Sequence, residues 1–350
     1  MEPISTRSAS VAISADPVSD LEQLIDRLSP DKVFVLTDKN SEHFCLSLIA
    51  GFSGFKEERT LIIEAGDDHK KLNALSDVWQ FLSDGGASRH SLLINLGGGM
   101  ICDLGGFAAS TYKRGISFIN LPTTLLSMVD ASVGGKTGIN FNGFKNEIGS
   151  FCSADMVLIH TPFLDSLDRE NLLSGYAEMI KHALIDKPET LERLLEIDPG
   201  QISAEYLAAL VADSVLVKDR YVAEDPRESG IRKALNLGHT IGHAFESLAM
   251  KKGHPVLHGY AVAWGIADEL DLSVLRQEFP KEITDRVKAY IRALYGDHGF
   301  TFDDFEALYD MMKHDKKNRG DRINFTLLSK VGKPEIDVDC RKEEIERVCC

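Results

Sequence analysis

The hydrophobic pattern of this chain changes period once. In the first part, short apolar runs recur at Lys32–Leu36, Arg59–Ile63, Ser91–Leu96, Ile116–Leu121 and Asp155–Ile159. Runs that are apolar throughout predict strands buried on both faces, and amphipathic stretches between them predict a parallel α/β sheet. Helices are expected at Ser19–Leu28, where Ser19 and Glu22 have capping-box spacing, and at Lys70–Leu82. Beyond Thr161-Pro162 the period becomes helical. Leu172–Ile185, Ala204–Glu224, Leu235–Met250, Tyr260–Gln277, Glu282–Tyr295 and Phe302–His314 all read as helices, followed by a strand pair at Ile323–Leu328 and Lys333–Val338 and a last helix. The pattern therefore predicts an α/β domain over residues 1–160 and a mainly α-helical domain over 161–350, since single cores stop growing near roughly 250–300 residues.

Glycine sharpens this picture between Gly97 and Phe151. Gly97-Gly98-Gly99 follows a strand and precedes a helix, the arrangement in which backbone N–H groups and a helix N-terminus receive a dinucleotide pyrophosphate, although the same triplet alone can be only a turn. Asp103 is expected to cap that helix. Asp38, just past a strand, reads either as a ribose contact or as a turn or helix cap.

Charge removes some classes of function. A net charge of −15 argues against non-specific nucleic-acid binding, which needs a basic surface, and no apolar run has the length of a membrane span. The six cysteines show neither metal spacing nor the density of a disulfide scaffold, and residues 1–20 show no secretory pattern, so a cytoplasmic location is expected.

Three features carry metal-ligand character. His239 and His243 lie four apart, on one face of a helix; His258 opens the next helix beside Gly259; and Glu178 is an acid on a largely apolar helix with Lys181 one turn on. A carboxylate and imidazoles from separate helices would make a three-ligand site with open positions, as catalytic zinc requires, whereas separately Glu178 could be a simple Glu–Lys pair and His258 a cap. In an acidic chain, Arg114, Lys136, Lys145, Lys181, Lys218, Arg232 and Lys316 all fall in glycine-containing or polar motifs, which suggests a collected anion pocket.

With these residues assembled, the chain closely resembles the 3-dehydroquinate synthases, a family of sugar-phosphate cyclases. The match runs from about Thr37 to Leu328 through GGGMICDLGGFAASTYKRG, LPTTLLSMVDASVGGKTGIN, KNEIGSF, LSGYAEMIKHALI, EDPRESGIRKALNLGHTIGHAFE, HGYAVAWG and HDKKN. It implies a Rossmann-like NAD-binding N-terminal domain and a helical C-terminal domain. It implies NAD contacts at Asp38, Asn40, Asp67, Lys70, Gly98, Gly99, Asp103, Thr123, Thr124 and Lys145, and one divalent metal, usually zinc with cobalt as a substitute, on Glu178, His239 and His258. Asp130, Lys136, Asn146, Lys181, Lys218, Arg232, Asn236, His243 and Lys316 match substrate-binding positions, and Lys136, Asn146, Lys181 and His243 among them are expected to be catalytic. Whether Lys316 or Lys317 takes its position is left open. Arg114 matches an arginine supplied across a homodimer interface.

The implied reaction converts 3-deoxy-D-arabino-heptulosonate 7-phosphate into 3-dehydroquinate and phosphate, a step of the shikimate pathway. It proceeds by transient oxidation with NAD, phosphate elimination, re-reduction and intramolecular aldol closure. Tyr260, Asp67 and Cys102 depart from the commonest family residues, and none of the three is a metal ligand. The rival readings are a cyclase for another sugar phosphate, such as a valiolone-type or amino-sugar substrate, and a metal-dependent alcohol or glycerol dehydrogenase. The cation set argues for a carboxylate-bearing substrate over both.

Overall fold

The structure, a computed structural model, describes residues 1–142, 144–313 and 323–349. The chain divides into two compact units, Met1–Asp168 with Ser203–Ala223, and Arg169–Ile202 with Glu224–Cys350. The single cut expected at residue 160 is therefore corrected: the change lies at 168/169, and a later helix returns to the first unit.

The first unit is built on a seven-stranded sheet of β1 (Glu2–Ile4), β2 (Val11–Ile13), β3 (Val33–Asp38), β4 (Thr60–Ile63), β5 (Leu92–Gly97), β6 (Ser117–Pro122) and, after the hairpin β7 (Lys136–Phe141) and β8 (Phe144–Phe151), β9 (Met156–Ile159). Its order is β1-β2-β9-β6-β5-β3-β4, parallel except for the β1–β2 pair. Strands β3 and β5 are buried at all positions, which is why their sequences do not alternate. Helices α1 (Pro17–Leu28), α2 (Lys39–Cys45), α3 (Leu72–Asp84) and α4 (Gly99–Thr111) connect the strands. Helix α4 is apolar nearly all round because the sheet covers one side and β7 the other; Ile101 and Leu104 share a core with Phe34, Leu93 and Ile139.

Several local expectations change. Asp16, not Ser19, caps α1, accepting from the Ser19 N–H at 3.1 Å. Gly98 is the N-cap of α4 and no side chain caps it, so Asp103 is not the cap. The polar opening holds two short strands, and the β7–β8 hairpin was not foreseen, because β8 is exposed along most of its length and its residues do not alternate.

Helices α5 (Arg169–Leu184) and α6 (Pro188–Leu195) belong to the second unit, and α7 (Ala204–Glu224) packs with the first. Buried Asp219 explains that return: its carboxylate accepts from the Arg7 N–H at 2.6 Å, the Ser8 N–H at 2.8 Å and the Ser8 hydroxyl at 2.5 Å.

The second unit continues with α8 (His239–Lys251), α9 (His258–Gln277), α10 (Lys281–Tyr295), α11 (Phe305–Lys313), the antiparallel pair β10 (Asn324–Lys330) and β11 (Lys333–Asp339), and α12 (Lys342–Cys349). Helix α9 is its axis, packed against α5, α8, α10, α12 and β10, and its buried residues lie on every side. Among the described residues no helix is long and apolar enough to cross a membrane.

Candidate active site

In the first unit the chain leaves β3 for β4 on one side and reaches β5 on the other, so connections diverge between β3 and β5. Ligands of open α/β sheets bind outside the carboxyl ends of the strands at such a point. Asp38 ends β3, Gly97 ends β5 and Thr123-Thr124 follow β6. A Cβ on Gly98 would come within 3.3 Å of Thr124 Cγ2, and one on Gly99 within 3.1 Å of Ala131 Cβ. Side chains would therefore narrow the mouth of a helix start that no side chain caps, and these glycines keep it open, which fits a pyrophosphate. Asp38 is buried and caps α2 through the Asn40 and Ser41 N–H groups, at 2.9 and 3.0 Å; Ser41 in turn meets the Thr123 hydroxyl at 3.1 Å.

Beside this cradle lies an ionic network. Buried Lys70 donates to Asn146 Oδ1 at 2.6 Å and Asp103 at 3.0 Å, with Asp67 at 3.3 Å; Lys145 lies 3.5 Å from Asp67. Burial alone would lower Lys70, but Asp103 and Asp67 outweigh it and hold its ammonium above the ordinary lysine value. Burial raises the Asp103 carboxyl despite Lys70. Asn140, which the motif reading passed over, ties the network together. Its backbone N–H donates to Lys70 O at 2.8 Å, its side chain donates to Asp67 at 3.0 Å, and its Oδ1 accepts from the Asn146 N–H at 2.9 Å. Asn146 itself sits at φ 50.

Lys218 on α7 donates to the Asp130 carbonyl at 2.5 Å and its carboxylate at 2.6 Å, so two residues expected at substrate are paired. Lys136 is exposed at the start of β7, after Gly134 and Gly135 at φ 103 and 69, where a turn of that hand favours glycine. Arg114 is exposed past the C-terminal end of α4, the opposite end from Gly98, on a turn with Lys113 and Arg114 at φ 50 and 68.

The second unit brings the expected metal ligands together. A Cβ on Gly259 would lie 1.9 Å from Ser174 O on α5, and one on Gly265 would lie 2.1 Å from Gly238 O beside α8. Those two glycines permit α9 to approach both helices. Glu178 Oε1 then lies 3.4 Å from His239 Nε2 and 3.6 Å from His258 Nε2. Tetrahedral bonds of about 2.0–2.2 Å have edges of about 3.3–3.6 Å, so each imidazole nitrogen stands from the Glu178 oxygen at the spacing of two ligands of one zinc-like ion. The Glu178 oxygens are fully buried and receive no hydrogen bond of ordinary geometry, while Lys181 forms an ion pair with them. His239 Nδ1 is directed at the Leu237 carbonyl at 3.1 Å and His258 Nδ1 at Glu246 Oε2 at 3.2 Å, which turns both Nε2 atoms toward Glu178. The donor set fits a divalent metal. His239, His243 and His258 also offer nitrogens within 4.8 Å of one another, so His243 is the competing third ligand.

The charge states of the three residues differ. Burial would raise Glu178, but Lys181 and His239 hold it well below the usual carboxylate range. Burial pushes His239 down to about 4. Burial would also lower His258, yet the neighbouring carboxylates of Glu178 and Glu246 carry it to about 10, so its imidazole holds a proton that a metal would displace.

Arg232 and Asn236 lie on the turn Ile231–Asn236. Arg232 is buried and donates to the Pro226 carbonyl at 2.8 Å; Asn236 donates to Glu228, a second residue missed from sequence, at 2.8 Å. Lys316, and with it Lys317, lies outside the described residues.

Two family models match the chain, one described as 3-dehydroquinate synthase N-terminal over residues 60–174 and one as 3-dehydroquinate synthase C-terminal over residues 175–318. A 3-dehydroquinate synthase of Parabacteroides distasonis is 52% identical over 335 residues, covering 96% of this chain and 95% of the relative. Among solved structures, 2-deoxy-scyllo-inosose synthase complexed with carbaglucose-6-phosphate, NAD+ and Co2+ superposes with a TM-score of 0.85 at 23% identity, over 99% of this chain and 97% of the other. ValA, a 2-epi-5-epi-valiolone synthase from Streptomyces hygroscopicus subsp. jinggangensis with NAD+ and Zn2+ bound, gives 0.81 at 25% identity, over 100% and 98%.

Proposed function

The chain belongs to the 3-dehydroquinate synthase family, and on that premise we propose that it converts 3-deoxy-D-arabino-heptulosonate 7-phosphate into 3-dehydroquinate and phosphate, a lyase step of the shikimate pathway. The observation that carries the site assignment is the Glu178 carboxylate, buried without an ordinary hydrogen bond and spaced from two imidazole nitrogens as ligands are.

Glu178, His239 and His258 would hold the divalent metal, and Asp38, Asn40, Asp67, Lys70, Gly98, Gly99, Asp103, Thr123, Thr124 and Lys145 would hold NAD. When bound, NAD supplies a reversible hydride acceptor and the metal Lewis acidity toward neighbouring substrate oxygens. Zinc is the reading for the metal, since imidazole with carboxylate suits it, and cobalt would substitute. The chain's own residues then bind and orient a polyanion. Lys136, Lys181, Lys218 and Arg232 meet its carboxylate and phosphate, and Asp130, Asn146 and Asn236 fix hydroxyl positions, so elimination and ring closure start from one geometry. Lys316 belongs with them by the resemblance alone. His243 holds the departing phosphate or relays a proton.

By the family resemblance the protein is read as a homodimer, with Arg114, exposed on a left-handed turn, as the residue offered to the second copy. A reducing, cytoplasmic location is supported by Cys45, Cys102 and Cys340, which are free, buried thiols. The test is phosphate release from the heptulosonate phosphate with and without NAD and a divalent metal. The proposal expects release to need both and to leave no net NADH; accumulation of NADH with an alcohol would replace it with the dehydrogenase reading, and turnover only of a substrate lacking the carboxylate with another cyclase.

A further inference from the structure

The two metal-bearing helices are cross-tied by two glutamates, Glu246 and Glu269, outside the proposed ligand and substrate sets. Helix α8 begins at Gly238, which has no side chain to cap it. Glu269, on α9 and fully buried, supplies the cap instead: its carboxylate accepts from the Gly238 N–H at 2.6 Å, the Thr240 N–H at 3.0 Å and the Ile241 N–H at 3.1 Å. These groups flank His239. In the other direction Glu246, on α8 and buried, reaches the first residue of α9, where its Oε2 lies 3.2 Å from His258 Nδ1.

Each helix thus sends one buried carboxylate to the N-terminal end of its neighbour, and each end carries one imidazole aimed at Glu178. A carboxylate at a helix start is stabilised by the orphan N–H groups there, and a carboxylate on the distal nitrogen of an imidazole fixes its tautomer and ring plane. We infer that Glu246 and Glu269 are positioning residues that set each Nε2 atom at ligand spacing from Glu178 before a metal arrives. The inference rests on the metal reading given under Proposed function and adds residues that touch neither metal nor substrate.

The test is titration of the chelator-stripped full chain with Co2+, followed by visible ligand-field absorption, with melting of the metal-free proteins alongside. Glu246→Ala is expected to weaken Co2+ binding about 10–100-fold and alter the band, while its metal-free melting temperature stays near wild type. Glu246→Gln, whose amide oxygen can still accept from Nδ1–H, should recover most of that affinity. Glu269→Gln should weaken Co2+ binding and also lower the melting temperature; should it not fold, Glu269→Asp, with the charge kept and the reach shortened, should show the same direction in Co2+ affinity. Unchanged affinity and an unchanged band in Glu246→Ala, or in the folded Glu269 variant, would overturn the clamp. Wild-type protein that takes up no Co2+ would instead remove the metal reading itself.

Discussion

The Lys70 ammonium donates to Asn146 Oδ1 at 2.6 Å, joining a residue proposed for the nucleotide to one proposed for the substrate. Lys70 is buried, so a lost acceptor is not replaced freely by water. A hydrogen bond to a charged group contributes roughly 1.5–3 kcal/mol, or about 10–100-fold in binding. Asn146→Ala is therefore expected to weaken NAD binding as well as kcat/KM for the phosphorylated substrate. A double-mutant cycle with Lys70→Met, read by NAD titration, should give a coupling of about 1–2 kcal/mol. Strictly additive losses would show that the two residues act separately.

The spacing around Glu178 decides which third ligand joins His239 and His258. Glu178→Gln is expected to abolish retention of a divalent metal through dialysis, because it removes the charged donor 3.4 and 3.6 Å from the two imidazoles. His243→Ala should retain the metal and lose turnover. Metal analysis of both variants checks this; the opposite pattern would make His243 the ligand.

Close helix approach gives a third expectation. Gly259→Ala would drive a methyl to 1.9 Å from Ser174 O, a backbone atom that cannot rotate away, so α9 must move off α5. Overpacking of this kind costs typically 1–3 kcal/mol. The variant should melt lower and bind Co2+ more weakly than wild type, and calorimetry with the same titration would register both. A stable variant with unaltered metal affinity would mean that the helices have slack.

The parts of this molecule that were readable from sequence are those in which one residue type answers a local demand. Strands β3 and β5 are buried on both faces, so their runs are apolar without alternation. His239, His243 and His258 show themselves by spacing, two of them four apart on one helix face and the third opening the next helix beside Gly259. Glu269 and Asn140 were invisible because their partners are largely backbone groups, which every sequence has in every register. Asp219 was invisible for a related reason: its partners, Arg7 and Ser8, lie more than two hundred residues away, and their bonds help hold α7 against the first unit. Asp38 shows the ambiguity of a short acid after a strand, since as a helix cap it meets one of the two demands named for it.

Asp225 supplies the pH dependence. Its carboxylate accepts from the Gly230 N–H at 2.6 Å, the Ser229 N–H at 3.0 Å and the Arg232 N–H at 3.3 Å, closing the loop that delivers Arg232. Burial would raise this carboxyl, but the backbone donors outweigh it and hold it below the ordinary aspartate value. A group depressed on folding contributes its stabilisation in full above the unfolded pKa, about 3.9 for aspartate, and loses it as pH falls toward the folded value. Asp225→Asn keeps one acceptor and introduces donors that face other donors, so at neutral pH it should lose roughly 1–2 kcal/mol and melt a few degrees lower. The gap between wild type and variant should stay constant down to about pH 5 and close below about pH 4. Melting curves of the two proteins across that range measure it directly. A gap independent of pH would assign the loss to shape rather than charge, and a KM for substrate that rises along with the fall in melting temperature would tie the loop to the placement of Arg232.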